Sequence, residues 1–304
     1  MASIIDQVYY CPQGICHHQA EFVYSEHRTG MQSFKFHTID PPPELAQYVR
    51  SFWVFEGNER NGEPYIYRSM ADACAEMVFH YKGVWQGLSV NDEVIAGSDE
   101  LTTLHSPADN YQRFTTNGDF GIFGVYLYPY SLHSLFGLSG CELRNETVTI
   151  ADCLRSKGRE LEEQILTARN NRERVNILSA FLIRRSRAAK APDTAIQACI
   201  KLLVYRPTAQ SVGETADMFC ISSRQLERKF KTLTGFAPKS FARISRFQHA
   251  LRRYGSNYKS LTDLAYECGY YDQSHFIHDF RKFSGYEPRS YFAGKSEGIE
   301  YREA

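Results

Sequence analysis

The last third of this chain repeats itself, and the repeat restricts the fold more than any other feature of its 304 residues. At an offset of 50, Leu226 meets Phe276, Phe230 meets Phe280, Gly235 meets Gly285, Pro238 meets Pro288 and Phe241 meets Tyr291. Upstream, Ser211 and Ala216 meet Ser260 and Ala265 at an offset of 49. A turn between two helices can absorb the one-residue difference. Duplication of this kind predicts two copies of one supersecondary unit.

Each copy has the grammar of a helix-turn-helix. Ser211-Val212-Gly213-Glu214 is a capping box that opens a short helix ending near Met218. A turn at 219–221 follows, and Ser222-Ser223-Arg224-Gln225 caps a second helix. That helix carries Leu226, Phe230 and Leu233 on one face, and Gly235 supplies the positive φ of a helix end, with Pro238 beyond. In the second copy Ser260-Leu261-Thr262-Asp263 opens the first helix, Gly269 sits in the turn, and Asp272 caps a helix with Phe276, Phe280 and Phe283 inward. Gly285 and Pro288 end it. Two short helices joined by a tight turn hold the second one proud of the surface, where it can enter a major groove.

Charge supports a polyanionic partner. The chain is neutral, with 35 basic and 35 acidic residues, but the segment from Lys190 to Lys295 holds 17 Lys and Arg against 9 Asp and Glu. The remainder is acidic by the same margin. Such asymmetry fits one third of the chain meeting nucleic acid.

The stretches Ser222 to Arg252 and Leu264 to Phe292 resemble the AraC/XylS family of bacterial transcription regulators. The resemblance is carried by Leu264-Ala265, Gly269-Tyr270, Asp272-Gln273-Ser274, Phe276, Phe280-Arg281-Lys282 and Gly285-Tyr286-Glu287-Pro288. Ile277-His278-Asp279 departs from it, since many members carry a basic residue at the His278 position. The resemblance implies a cytoplasmic DNA-binding regulator acting on double-stranded DNA, with RNA polymerase as a further partner and a small-molecule effector in an N-terminal cupin-like sensing domain. Pro-Pro-Glu-Leu and Phe-Trp-Val-Phe are similar to uncharacterised members.

Helical geometry at 100° per residue assigns the DNA-facing side chains. Opposite the first buried stripe lie Arg224, Arg228 and Lys231, flanked by Gln225 and Glu227. Opposite the second lie Ser274, His278 and Arg281, with Gln273 near the helix start. Arg can grip guanine through two hydrogen bonds, so Arg224 and Arg228 are the candidates for base readout, and the first helix is expected to dominate specificity.

The rest of the chain predicts an α+β whole: an N-terminal cupin-like β-barrel or sandwich over 31–150, a helical connector over 151–189, an all-α domain with two helix-turn-helix units over 190–295, and tails at 1–30 and 296–304. Candidate strands are Phe34 to Thr38, Phe52 to Glu56, Met77 to Tyr81, Glu93 to Ala96 and Phe120 to Leu127. Turn signals fall at Gly57-Asn58, Asn61-Gly62, Asn91-Asp92 and Asn117-Gly118-Asp119, and Pro42-Pro43-Glu44 opens a helix carrying Leu45, Tyr48 and Val49. Phe79, Tyr81, Phe123 and Tyr126 are expected to line an effector cavity. Asp72, Cys74 and Glu76 share one strand face by period two, either a polar pocket or an exposed surface. The apolar stripe of the connector, including Leu178, Phe181 and Leu182, suggests a homodimer contact or packing on the barrel.

Other chemistries find little support. No Gly-rich phosphate loop, nucleophile elbow or CxxC pair is present, and no apolar run is long enough to span a membrane. Cys11, Cys16, His17 and His18 lie close together but at no common zinc spacing, and His105 and His133 lack paired ligands, so no metal and no cofactor is expected.

Overall fold

The computed structural model describes residues 32–59, 64–189, 193–205, 212–253 and 258–293. The expected N-terminal tail with Cys11, Cys16, His17 and His18, the Asn61-Gly62 turn, Ser211 and the C-terminal tail lie outside the described residues.

Among the described residues, nine strands form two antiparallel sheets. They are β1 (Gln32–Ile39), β2 (Val49–Glu59), β3 (Tyr65–Ser69), β4 (Ala75–Lys82), β5 (Trp85–Leu88), β6 (Thr102–His105), β7 (Gln112–Thr116), β8 (Phe120–Leu127) and β9 (Thr147–Thr149). The large sheet runs β1-β2-β8-β4-β6-β9 and the small one β3-β7-β5. The result is an α+β fold whose β part is a sandwich.

Alternation along the central strands builds two separate cores. Phe52 and Val54 on β2, Met77 and Phe79 on β4, and Phe123, Val125 and Leu127 on β8 share the core that the helices cover. The intervening residues Trp53, Phe55, Val78, Phe120 and Ile122 meet Tyr65 and Trp85 of the small sheet in a second, aromatic core. Tyr65 stacks on Phe120 at 5.9 Å, and Trp85 meets Phe120 edge-on at 4.9 Å.

Several local expectations are corrected here. Gly57-Asn58 is no turn: both lie inside β2, opposite Phe34 and Ser33. Gly57 is needed because the Phe120 and Phe34 rings occupy the space of a Cβ. Glu93 to Ala96 forms no strand beyond a single bridge from Val94 to Leu88. The neighbouring sequence at 85–88 pairs instead, because Trp85 can fill the aromatic core. The helix opened by Pro42 stops after one 3-10 turn, Pro43–Leu45. Tyr48 is drawn out of it when its carbonyl accepts the Tyr128 N–H at 2.9 Å.

Helices α1 (Ser131–Phe136), α2 (Gly140–Leu143), α3 (Ile150–Leu154), α4 (Ser156–Thr167) and α5 (Asn171–Arg187) follow the sheets. Asn170 caps α5, accepting from the Glu173 N–H at 3.0 Å. Leu161, Ile165, Leu178, Phe181 and Leu182 are buried in the core over the large sheet. The connector stripe is therefore consumed within the chain, and the motive it offered for a homodimer contact falls away. Arg174 lies 3.7 Å over the Tyr81 ring, and Tyr81 hydrogen-bonds Glu56.

Candidate nucleic-acid interface

Among the described residues, seven helices follow α5: α6 (Thr194–Tyr205), α7 (Val212–Met218), α8 (Ser223–Thr234), α9 (Pro238–Leu251), α10 (Leu261–Glu267), α11 (Gln273–Ser284) and α12 (Pro288–Phe292). The sequence repeat becomes a hydrogen-bond repeat. Ile221 N–H donates to Ala216 O and Tyr270 N–H to Ala265 O, each at 3.0 Å, closing equivalent turns. The turn residue with positive φ is Gly269 at 77° in one unit and Cys220 at 53° in the other.

The outward helices are capped alike. Ser222 accepts from the Gln225 N–H at 3.3 Å, and Asp272 from the His275 N–H at 2.8 Å. Gly235 and Gly285 end them with φ of 79° and 72°. At their last residues, Thr234 and Ser284 are buried and make the same pair of bonds. Each hydroxyl donates to the carbonyl four residues back, Phe230 O at 2.9 Å or Phe280 O at 2.6 Å, and accepts from the N–H two residues on. The sequence reading missed these two residues, although an offset of 50 aligns them as Thr and Ser.

The structure presents Arg224, Glu227, Arg228 and Lys231 of α8, and Ser274, His278 and Arg281 of α11, as exposed side chains. Leu226, Phe230, Phe276, Phe280 and Phe283 are buried beneath them. Ser274, Ile277, His278, Arg281 and Lys282 line one shallow depression on the outer face of α11. The two glutamines among the nine candidates also bond within the fold, Gln225 while remaining exposed. Gln273 is half-buried and accepts a hydrogen bond from Thr262 of α10 at 2.8 Å, and Gln225 closes the cap of α8 by accepting from Ser222 at 3.2 Å.

Ion pairs sort the basic residues. Lys229 is tied to Asp193 at 2.5 Å, Arg281 to Glu287 at 2.5 Å and Lys282 to Asp109 at 3.1 Å. Among the described residues, these bonds leave Arg224, Arg228 and Lys231 as the uncommitted cations of α8. Asp279, next to the departure noted at His278, is buried and gripped by Arg243 of α9. Its place in the repeat is structural, while His278 beside it stays exposed.

The outward helices end against different parts of the preceding chain, α8 against helix α2 and α11 against the segment after β3. At α8, the Gly140 and Gly235 backbones touch so closely that a Cβ on Gly140 would fall 2.6 Å from the Gly235 nitrogen. Cys141 Sγ donates to Lys231 O at 3.1 Å. At α11, the Ala71 N–H donates to Phe283 O at 2.9 Å, and Arg68 Nη1 donates to Ser284 O at 3.3 Å, with the guanidinium carbon 3.9 Å from the Tyr286 ring centroid.

The expected apolar effector cavity is not where the aromatic residues suggested. Phe79 and Phe123 face the helices and are fully buried, with rings 6.1 Å apart, and Tyr81 is engaged by Arg174 and Glu56. Period two puts them on the opposite face from the space between the sheets. Tyr126 does face that space. There it joins Asp72, Cys74 and Glu76 around a polar cavity of about 80 Å³, which resolves the alternative left open for those three in favour of a pocket.

Comparison with known proteins places these features. Residues 215–294 match the helix-turn-helix domain family, and residues 37–149 match a domain of unknown function. The chain is 34% identical over 88 residues to the HTH-type transcriptional activator RhaS of Enterobacter sp. strain 638, covering 28% of this chain and 31% of the relative. It is 36% identical over 83 residues to RhaS of Escherichia coli O1:K1 / APEC, covering 26% of this chain and 29% of the relative. The chain thus spans less than a third of the length of these curated relatives. Among solved structures, ToxT from Vibrio cholerae O395 aligns over 86% of this chain and 97% of its own, with 12% identity and a TM-score of 0.42. Among the described residues, no helix is long and apolar enough to cross a membrane.

Proposed function

We propose that this chain, whose C-terminal segment is an AraC-type helix-turn-helix domain, regulates transcription by binding specific sites on double-stranded DNA. The observation that carries the reading is the duplicated, N-capped helix pair with an uncommitted basic face at Arg224, Arg228 and Lys231. Residues 190–295 act as the DNA-binding domain, 151–189 as a connector and 31–150 as the sensing domain for a small effector. Arg224 and Arg228 read bases, Lys231 and Arg281 meet phosphates, and Ser274 and His278 make weaker base contacts. The curated relatives are named activators. Activation through RNA polymerase belongs to the same proposal and is tested by transcription in vitro.

Selection of bound sites from random duplex DNA with the full chain tests the core of this reading. A recurrent site is expected, bound with a steep salt dependence of about −0.9 in log K per log salt for each phosphate neutralised. An unenriched pool, with no retention of DNA at low salt, overturns it.

A further inference from the structure

We propose that the polar cavity at the open end of the sandwich is a binding site for a small organic cation, a primary amine or a guanidine, anchored by the Glu76 carboxylate and capped by Gln248 of α9. The proposal rests on the reading of the chain as an effector-tuned regulator and names the chemical class of that effector.

The register of the large sheet creates the site. Glu76 on β4 lies directly opposite His105 on β6 and Tyr126 on β8, so all three project from the same face into the space between the sheets. Further along that face the space is filled by Val78, Ile122, Phe120 and Trp85. At the Glu76 end the space stays open, and Asn110, Gln112, Asn145 and Gln248 share its wall with Met70 and Ala108.

The cavity wall carries three carboxylates, Asp72, Glu76 and Glu146, and the two arginines that act on this acidic group, Arg50 and Arg252, can match only two of them. Asp72 accepts the Cys74 N–H at 2.8 Å, and burial raises its pKa against the opposing pull of Arg50 and Arg252. His105 cannot supply a further positive charge. Its Nε2 is 2.9 Å from Thr103 Oγ1 and its Nδ1 is 3.2 Å from Thr147 Oγ1, and burial pulls its pKa down to about 4. Glu76 is held well above the usual carboxylate range by burial and by Asp72, with only Arg50 opposing. A buried carboxyl in such surroundings either keeps its proton or takes a cation. The Tyr67 and Tyr126 rings in the wall offer a cation–π face, and the amide carbonyls can accept N–H donors. A volume of about 80 Å³ limits the ligand to a few heavy atoms.

The site is wired to the DNA-facing helices. Gln248 Nε2 donates to Ala71 O at 2.5 Å, and the Ala71 N–H donates in turn to Phe283 O near the end of α11. A cation that contacts Glu76 and Gln248 together bridges the sheet to α9, and so favours the docked arrangement of the two.

Isothermal titration of the full chain with methylguanidine, propylamine and butane-1,4-diamine tests this, with propan-1-ol and butane-1,4-diol as uncharged controls. At least one cation is expected to bind about tenfold or more tightly than the alcohols. Glu76→Gln, which keeps the shape and removes the charge, should weaken that cation about tenfold or more. Gln248→Lys, which carries its own ammonium to the cavity, should abolish binding and serves if Glu76→Gln fails to fold. The bound cation should also change affinity for the selected DNA site about fivefold or more. Equal binding of alcohols and amines, cation binding indifferent to both substitutions, or no cation binding at all overturns the proposal. A chain that selects a DNA site but binds no amine loses this inference and keeps the proposed function. A chain that binds the amine but selects no site does the reverse.

Discussion

Arg243 on α9 reaches across to Asp279 on the inner side of α11, its Nε donating to Oδ2 at 3.1 Å. Asp279 is only 4% exposed. Its counterpart in the first unit is Lys229, which pairs with Asp193 at the start of α6. The two outward helices are thus anchored by ion pairs of opposite polarity to different neighbours. Arg243→Ala strands a buried carboxylate and should cost roughly 2–3 kcal/mol, less than for a fully buried pair because Arg243 is one-third exposed. Thermal unfolding reads this. An unchanged melting temperature would mean Asp279 is reached by water without its partner.

Base reading should separate from phosphate contact. Arg228→Ala is expected to cost about 1–3 kcal/mol on the selected site and to relax preference at one base pair, whereas Lys231→Ala should weaken all sequences similarly. Binding isotherms on specific and random duplexes decide. Equal losses on both for Arg228→Ala would remove the readout role.

The turn of the first unit carries a strained residue. Cys220 adopts φ of 53° where the second unit has Gly269 at 77°. Cys220→Gly should therefore raise stability by about 0.5–1 kcal/mol, the relief of the left-handed conformation outweighing the added freedom of the unfolded chain. Gly269→Ala should lower it by about 1–2 kcal/mol. Denaturant midpoints compare the two, and a destabilised Cys220→Gly would show that the Cys220 side chain contributes more than its backbone costs.

His105 gives the fold an acid-sensitive element. Burial lowers its pKa from 6.5 to about 4. Between those values the unfolded chain holds a proton that the folded chain does not, so stability from this group is complete above about pH 6.5 and falls as the pH drops toward 4, by up to about 1.4 kcal/mol per pH unit. Glu76 and Asp72, both raised first by burial, act in the opposite sense. The comparison of wild type with His105→Gln isolates the histidine. The melting temperature of the variant should decline less between about pH 6.5 and 4.5, and superimposable profiles would mean that His105 titrates normally in the fold.

The helix-turn-helix pair was legible in the sequence because everything that specifies it is local. Capping side chains at Ser222 and Asp272, the apolar spacing of Leu226 and Phe230 or Phe276 and Phe280, and the glycines at 235 and 285 act within one or two turns of helix. The identity of the exposed faces followed from the same periodicity. Strands 65–69, 85–88, 102–105, 112–116 and 147–149 were not legible, because each is short and is defined by partners far along the chain, as when Tyr65 pairs with Thr116. Period two in the sequence put Asp72, Cys74 and Glu76 on one strand face, but only Glu76 lies on β4, while Asp72 and Cys74 precede it and reach the same cavity from there. Only the packing of Phe79 under the helices turned Glu76 inward, toward the small sheet. The contacts that join the sheets to α8, α9 and α11, from Gly140 on Gly235 to Ala71 between Gln248 and Phe283, bring together residues that share no pattern in sequence. Local hydrogen bonding and periodicity are written residue by residue, whereas burial, register and charge pairing depend on which distant surface arrives, and that is set only when the chain closes on itself.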